Sequence, residues 1–127
     1  MVGMVARDMK ATLDFYRHLG LPIPESAHLS AEGEPEAHVE VRVGGYRLAW
    51  DSVDLIRRLN PHWKEPRGHR MNLAFKTDTP AEVDEVYARM TSLGYTGHTQ
   101  PYDAFWGQRY AVLQDPDGNN VDVFCPL

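Results

Sequence analysis

The sequence is poor in the features that mark several large classes of protein. Its 127 residues include one cysteine, Cys125, so an intrachain disulfide is excluded and a reducing compartment is indicated. Acidic residues outnumber basic ones, 18 to 13, and the formal charge is −5. Nucleic acid is therefore not expected as a partner, because it calls for a basic patch.

Long apolar segments are also absent. No apolar run approaches the roughly 20 residues that a membrane-spanning helix needs. Arg7 and Asp8 interrupt the apolar start of the chain, so no signal peptide is predicted. We therefore expect a cytoplasmic protein that has no membrane partner.

The spacing of the apolar residues predicts an α+β fold. Strands are indicated where apolar and polar residues alternate, and helices where apolar residues recur every three to four positions. The predicted strands are 1–6, 38–43, 46–51, 70–76, 95–98, 108–114 and 120–124, with 21–24 as at best a short edge strand. The predicted helices are 9–19, 53–59 and 80–93, and residues 99–104 are predicted to form a loop. Asp8 is expected to cap the first long helix, and Asp78 or Thr79 the second.

The order of these elements is βαβββ, repeated once. We interpret the chain as a single domain, 1–127, made of two modules at about 1–60 and 69–127. Each module is too small for a core of its own, so the two are expected to pack together. Each helix is expected to cover the apolar side of a mixed sheet and to leave the polar side concave. Concave surfaces with a few polar groups are where small molecules bind.

The last hairpin is the most informative stretch. Asp115-Pro116-Asp117-Gly118 predicts a tight turn between two strands, because proline presets φ and glycine tolerates a positive φ. The bulky aromatic residues Phe105 and Trp106 stand just before the hairpin and are followed by Gly107. Such side chains either pack a core or form a wall against which a ligand stacks.

The paired βαβββ modules and the terminal segment DPDGNNVDVF resemble the vicinal oxygen chelate superfamily. That superfamily includes glyoxalase I, extradiol dioxygenases, methylmalonyl-CoA epimerase and bleomycin resistance proteins. The resemblance covers the whole chain. It implies that the two modules form one curved mixed sheet that encloses a concave cup.

Two segments, YRLAWDSVDLIRRLNPHWKEPRGHR and FWGQRYAVLQDPDGNNVDVF, are similar to mitomycin-binding resistance proteins within the superfamily. Those proteins hold a planar drug between a histidine and a tryptophan. The matching positions here are His38 and Trp106. The resemblance also implies a homodimer, as in the antibiotic-binding members.

The catalytic members hold a divalent ion in the cup. The matching ligand positions fall near Met1 or Gly3, at about Ala49 or Asp51, at about Asn72 or Arg70, and at Asp122. Only Asp122 is a convincing carboxylate at its place, whereas such a site needs about three ligands, typically histidine and carboxylate. We therefore predict no metal, no other cofactor and no catalytic residue.

Each ligand-stacking residue also has a purely structural interpretation. Without the resemblance, the polar face that His38 shares with Glu40 and Arg42 would be read as solvated or salt-bridged. Trp106 could equally be a core residue. Phe105 could be a second wall, but packing or a dimer contact suits it better.

The remaining candidates are polar groups of the cup and one further aromatic. Asp122 either accepts a hydrogen bond from a ligand amine or pairs with a cup-facing arginine. Arg42 and Asn72 are expected to line the cup, although pairing with Glu40 or Asp51 is at least as plausible an interpretation. Tyr110, on the first strand of the hairpin, completes the predicted ligand-binding set.

The first hypothesis is a non-catalytic protein that binds a planar aromatic or quinone-like molecule by stacking between His38 and Trp106. It would confer antibiotic resistance by sequestering a mitomycin-like ligand. The alternative is a metal-dependent lyase, isomerase or dioxygenase of the same superfamily. A third interpretation is a scaffold with no ligand of its own.

Overall fold

The structure, a computed structural model, describes residues 1–66 and 72–127. The chain divides into two compact units, Met1–Arg67 and Gly68–Leu127. The elements are β1 (Val2–Ala6), α1 (Met9–His18), β2 (His38–Val43), β3 (Tyr46–Ser52), α2 (Val53–Leu59), β4 (Leu73–Lys76), α3 (Pro80–Ser92), β5 (Thr96–Ala104), β6 (Gln108–Gln114) and β7 (Asn120–Pro126). The predicted α+β fold is confirmed, and each unit carries its own mixed sheet.

The N-terminal unit has a three-stranded sheet in the order β1-β3-β2, with β1 parallel to β3 and β2 antiparallel to it. One face of this sheet packs against α1. There the Trp50 ring lies 5.2 Å from that of Tyr16, and both side chains are fully buried. As predicted, the Asp8 carboxylate caps α1 by accepting a hydrogen bond from the backbone N–H of Ala11.

This unit has three strands rather than the four of a complete βαβββ module. Residues 21–24 form no strand, because Pro22 and Pro24 have no backbone N–H to donate to a neighbouring strand. Between α1 and β2, the one strand-like pairing is an isolated bridge from Leu29 to Pro35. At its C-terminal end, β3 continues directly into α2, and Ser52 is the N-cap of that helix.

The C-terminal unit has a four-stranded sheet in the order β4-β7-β6-β5. Strand β4 is parallel to β7, and β6 is antiparallel to β7, so these three strands repeat the plan of the first unit. Thr79, not Asp78, caps α3, because its side chain and that of Glu82 form a reciprocal capping box. Helix α3 buries Val83 and Met90.

Strand β5 corrects one prediction. Residues 99–104, predicted to be a loop, continue the strand that starts at Thr96 and pair with β6. Register shifts between Gly97 and Thr99 and between Thr99 and Tyr102 accommodate a polar, proline-containing sequence that does not alternate regularly. Part of the strand predicted at 70–76 lies outside the described residues, and Leu73–Lys76 is a strand.

The turn between β6 and β7 forms as predicted, and Asp115 explains its stability. The buried Asp115 carboxylate accepts hydrogen bonds from the backbone N–H groups of Asp117 and Asn119 and from the Asn119 amide. Gly118 supplies the required positive φ, 84°. Separately, none of the helices among residues 1–66 and 72–127 has both the length and the apolarity to cross a membrane.

Candidate functional site

Four aromatic side chains gather where β5 turns into β6. We call Tyr102, Phe105, Trp106 and Tyr110 the aromatic cluster. Trp106 is central, with its ring centroid 5.1 Å from Phe105, 5.3 Å from Tyr110 and 6.4 Å from Tyr102. All these pairs meet edge to face, with interplanar angles of 77° to 87°. None of these three rings therefore stacks in parallel on the indole.

Trp106 is held in place at the surface. The residue is 47% exposed, which rules out the core-packing interpretation, and its indole Nε1 donates a hydrogen bond of 2.8 Å to Gln108 Oε1. Gly107 makes the tight turn possible, with φ of 90° and a backbone N–H that donates to the Ala104 carbonyl. Phe105 is 97% exposed, so it is not a core residue, although its ring meets that of Trp106 edge to face.

Three polar groups of the same unit form a hydrogen-bonded set, which we call the acceptor cluster: Asn72, Tyr110 and Asp122. The Asn72 amide Nδ2 donates a short hydrogen bond to Asp122 Oδ2. The Tyr110 hydroxyl donates to the same carboxylate. Burial, and then this hydrogen bond, raise the pKa of Tyr110 to about 12, so the hydroxyl keeps its proton at any ordinary pH.

The two clusters share Tyr110 and lie on one face of the second sheet. Tyr110 pairs with Tyr102 across to β5, and Asp122 lies on β7 one diagonal step away. The opposite face packs on α3, as the bidentate ion pair between Arg109 and Asp84 shows. The structure therefore brings together five predicted site residues: Asn72, Phe105, Trp106, Tyr110 and Asp122.

His38 and Arg42 lie in the N-terminal unit. Strand β2 places them, with Glu40, on the sheet face opposite the buried Val39 and Val41. His38 Nδ1 is 2.6 Å from Asp51 Oδ1, and His38 Nε2 is 3.0 Å from Glu40 Oε1. The salt-bridged strand face, one of the two interpretations of the sequence, is thus formed. Because such hydrogen bonds lie in the plane of the ring, they do not occupy its faces.

The surroundings of His38 favour the protonated form of its ring. A neutral imidazole has a single N–H donor, so it can donate to one of the two carboxylates but not to both. The hydrogen bond that His38 donates to Asp51, and then the one that it donates to Glu40, raise the pKa of His38 above its ordinary value of 6.5. The pKa of Glu40 is lowered, chiefly by its hydrogen bond with His38.

A pH titration tests this arrangement. We expect the imidazole proton resonances of His38 to titrate with a midpoint above the ordinary value of 6.5, and the midpoint to fall in Asp51→Asn. Since the folded-state pKa is the higher one, His38 stabilises the fold fully below the unfolded pKa, and this contribution is lost as the pH rises through the folded pKa. The side chain is 42% exposed, so the effect on stability is small. An unchanged midpoint in Asp51→Asn would contradict the assignment.

Sequence reasoning missed several residues that hold the candidate site residues in place. Arg47, not Arg42, donates to Glu40, and Arg42 lies directly opposite Arg47 in the sheet. The Gly44-Gly45 hairpin carried a usable signal, because a tight two-residue turn fixes the register and puts Asp51 opposite His38. Gln108 had no comparable signal, since its contact with Trp106 depends on the shape of the turn.

The residues present do not fit a metal site of the kind that the resemblance implies. In the first unit, Gly3 and Ala49 lie opposite each other and offer no side-chain ligand, while Asp51 is engaged by His38. In the second, Asn72 turns its amide N–H toward Asp122, as a donor rather than a ligand. Among residues 1–66 and 72–127, no three His, Cys, Asp or Glu side chains converge to hold an ion. Arg70 lies outside the described residues.

The sequence also matches a known protein family. Residues 1–123 match the family model described as the Glyoxalase/Bleomycin resistance protein/Dioxygenase superfamily. The chain belongs to this superfamily. A search of curated protein sequences finds no match.

Several solved structures of the superfamily share the fold. A family enzyme from Burkholderia phytofirmans PsJN is 23% identical, with a TM-score of 0.83 over 99% of this chain and 96% of that one. A lactoylglutathione lyase from Agrobacterium tumefaciens is 25% identical, with a TM-score of 0.68 over 98% and 90%. TioX from Micromonospora sp. ML1 is 19% identical, with a TM-score of 0.67 over 99% and 96%. These likenesses establish the glyoxalase-like fold.

Proposed function

We propose that this protein binds a planar aromatic small molecule and does not transform it. The observation that carries the proposal is Trp106, which is half exposed and fixed by Gln108, with no parallel ring of the aromatic cluster upon it. A fixed aromatic side chain loses little conformational entropy when a ligand stacks on it. Little of the free energy gained from stacking is therefore offset.

The finer assignments come from the sequence resemblance. They are a mitomycin-like ligand, resistance by sequestration, a homodimer in the cytoplasm, and His38 as the second stacking wall. Binding of one compound by wild type, His38→Ala and Trp106→Ala measures whether both residues serve the same ligand.

The test is a fluorescence titration of metal-free protein with planar compounds, mitomycin C and bleomycin included, repeated on Trp106→Phe. We expect saturable quenching by at least one compound and weaker quenching in the variant. Trp63→Phe is the control, since it removes an indole of the other unit that lies 5.8 Å from the Arg57 guanidinium. A flat response to the whole panel would overturn the proposed function.

A second candidate, a metal-dependent lyase, is favoured by the likeness to a lactoylglutathione lyase. The donor groups argue against it, because Gly3, Ala49 and the amide N–H of Asn72 are poor substitutes for metal ligands. Elemental analysis of protein purified without chelator or a metal-binding tag distinguishes the candidates. A stoichiometric divalent ion that is lost in Asp122→Ala would support the lyase and contradict a metal-free binding protein.

A further inference from the structure

The acceptor cluster has an unusual balance of hydrogen-bonding groups. The Asp122 carboxylate can only accept, and it already receives one hydrogen bond from Asn72 and one from Tyr110. A carboxylate has about four lone-pair positions, so part of its capacity remains. One N–H of Asn72 and the O–H of Tyr110 already donate to Asp122, so these two groups are not available to donate to a ligand.

The groups that remain available to a ligand are therefore mostly acceptors. They are the free lone pairs of Asp122, the Asn72 carbonyl Oδ1 and the Tyr110 hydroxyl oxygen, whose proton points to Asp122. The carboxylate also carries a negative charge. The eight ion pairs seen among residues 1–66 and 72–127 do not involve Asp122.

This polar group stands beside the proposed stacking wall. The Tyr110 ring centroid is 5.3 Å from that of Trp106, and the Tyr110 hydroxyl reaches Asp122. A flat ring placed against Trp106 can thus direct an edge substituent toward the acceptor cluster. Whether that substituent donates or accepts decides whether it is bound or repelled, because an acceptor that is covered by an acceptor of the ligand loses its hydrogen bonds to water and gains none in return.

We infer that the acceptor cluster selects planar ligands that carry a hydrogen-bond donor, above all a protonated aromatic amine or amidine, over planar ligands that present only acceptors. This inference rests on the proposed function and names its ligand class. It also separates such ligands from simple quinones, whose carbonyl oxygens accept and cannot donate.

Two flat three-ring probes test the inference: 9-aminoacridine, a cation with N–H donors, and anthracene-9-carboxylate, an acceptor. We expect wild type to bind the first at least about tenfold more tightly, since a charge-assisted hydrogen bond contributes at least that factor. In Asp122→Asn, which keeps the side-chain size, we expect the preference to fall below about threefold. Trp106→Ala is expected to weaken the binding of both probes.

The net charge of −5 attracts any cation, so a charge-matched control is needed. Glu85→Gln on α3 removes one exposed negative charge outside both clusters, and we expect it to keep the preference for 9-aminoacridine. An equal loss of preference in Glu85→Gln and Asp122→Asn would overturn the inference. So would equal binding of both probes by wild type, and that result would leave the proposed function standing.

Failure of the proposed function gives a different pattern. If neither probe binds, or if Trp106→Ala binds both as tightly as wild type does, the stacking site itself is refuted, and the inference falls with it. If Asp122→Asn does not fold, Tyr110→Phe serves in its place. That variant frees a lone pair of Asp122, so we expect the preference for 9-aminoacridine to hold or to rise, and a fall below threefold would contradict the inference.

Discussion

Trp106→Ala is expected to bind a planar aromatic ligand about tenfold to a hundredfold more weakly than wild type, with an unchanged fold. Stacking of a flat ring on one aromatic side chain contributes about 1–3 kcal/mol in alanine substitutions. The fold tolerates the change because the side chain is 47% exposed and its hydrogen bond goes to Gln108, another surface side chain. Calorimetric titration with the ligand identified by the fluorescence panel gives the dissociation constants.

Two control variants test whether the loss of affinity comes from the Trp106 ring itself. Gln108→Ala removes the hydrogen bond to the indole and leaves the ring, so we expect a loss of less than about fivefold, through weaker fixing of the indole. Trp63→Ala removes an indole from the other unit, and we expect no loss of affinity. An unchanged dissociation constant for Trp106→Ala would show that the ligand stacks elsewhere.

Trp50→Ala is expected to lower the free energy of unfolding by about 3–5 kcal/mol, the range measured for large aromatic residues replaced by alanine in cores. Trp50 is fully buried on β3 and packs on Tyr16, with ring centroids 5.2 Å apart. Its indole Nε1 has no hydrogen-bond partner among the described residues, so the loss comes from packing and the cavity. Urea unfolding followed by circular dichroism measures it.

Trp63→Ala is the matched control for stability. The Trp63 ring contacts the Arg57 guanidinium at 5.8 Å, and a surface contact between a cation and an aromatic ring contributes about 0.5–1 kcal/mol. We therefore expect this variant to lose about 1 kcal/mol or less. A loss below about 1 kcal/mol in Trp50→Ala would mean that the first unit does not depend on this side chain.

Trp50 and Trp106 show which side-chain positions a sequence pattern can predict and which it cannot. The parity that Trp50 shares with Leu48 in its strand predicts a place in the helix-facing core, and the structure buries Trp50 there, because alternation in a regular strand fixes which face a side chain takes. Trp106 follows a strand that ends in a turn, where alternation no longer applies. Its exposure and its bond to Gln108 depend on the backbone path through Gly107.

The same contrast holds for the secondary structure. His38–Val43 and Val53–Leu59 were predicted with their observed bounds, because apolar alternation marks the strand and Ser52 marks the start of the helix. Strand β5 was predicted too short, since Thr99–Ala104 has no alternation of its own. Pairing with β6, helped by the contact between Tyr102 and Tyr110 at 6.0 Å, holds that segment extended.

The amino-acid sequence by itself determined the α+β class, most of the helices and strands, and the turn at Asp115–Gly118. Each follows from local spacing or from the conformational limits of single residues, which neighbouring positions suffice to reveal. The tertiary structure decided that Asp51 and Glu40 both contact His38 and raise its pKa, and that Asn72 and Tyr110 both donate to Asp122. Asn72 and Asp122 are 50 positions apart, and which atoms of such residues meet depends on strand pairing and side-chain packing, which no local pattern specifies.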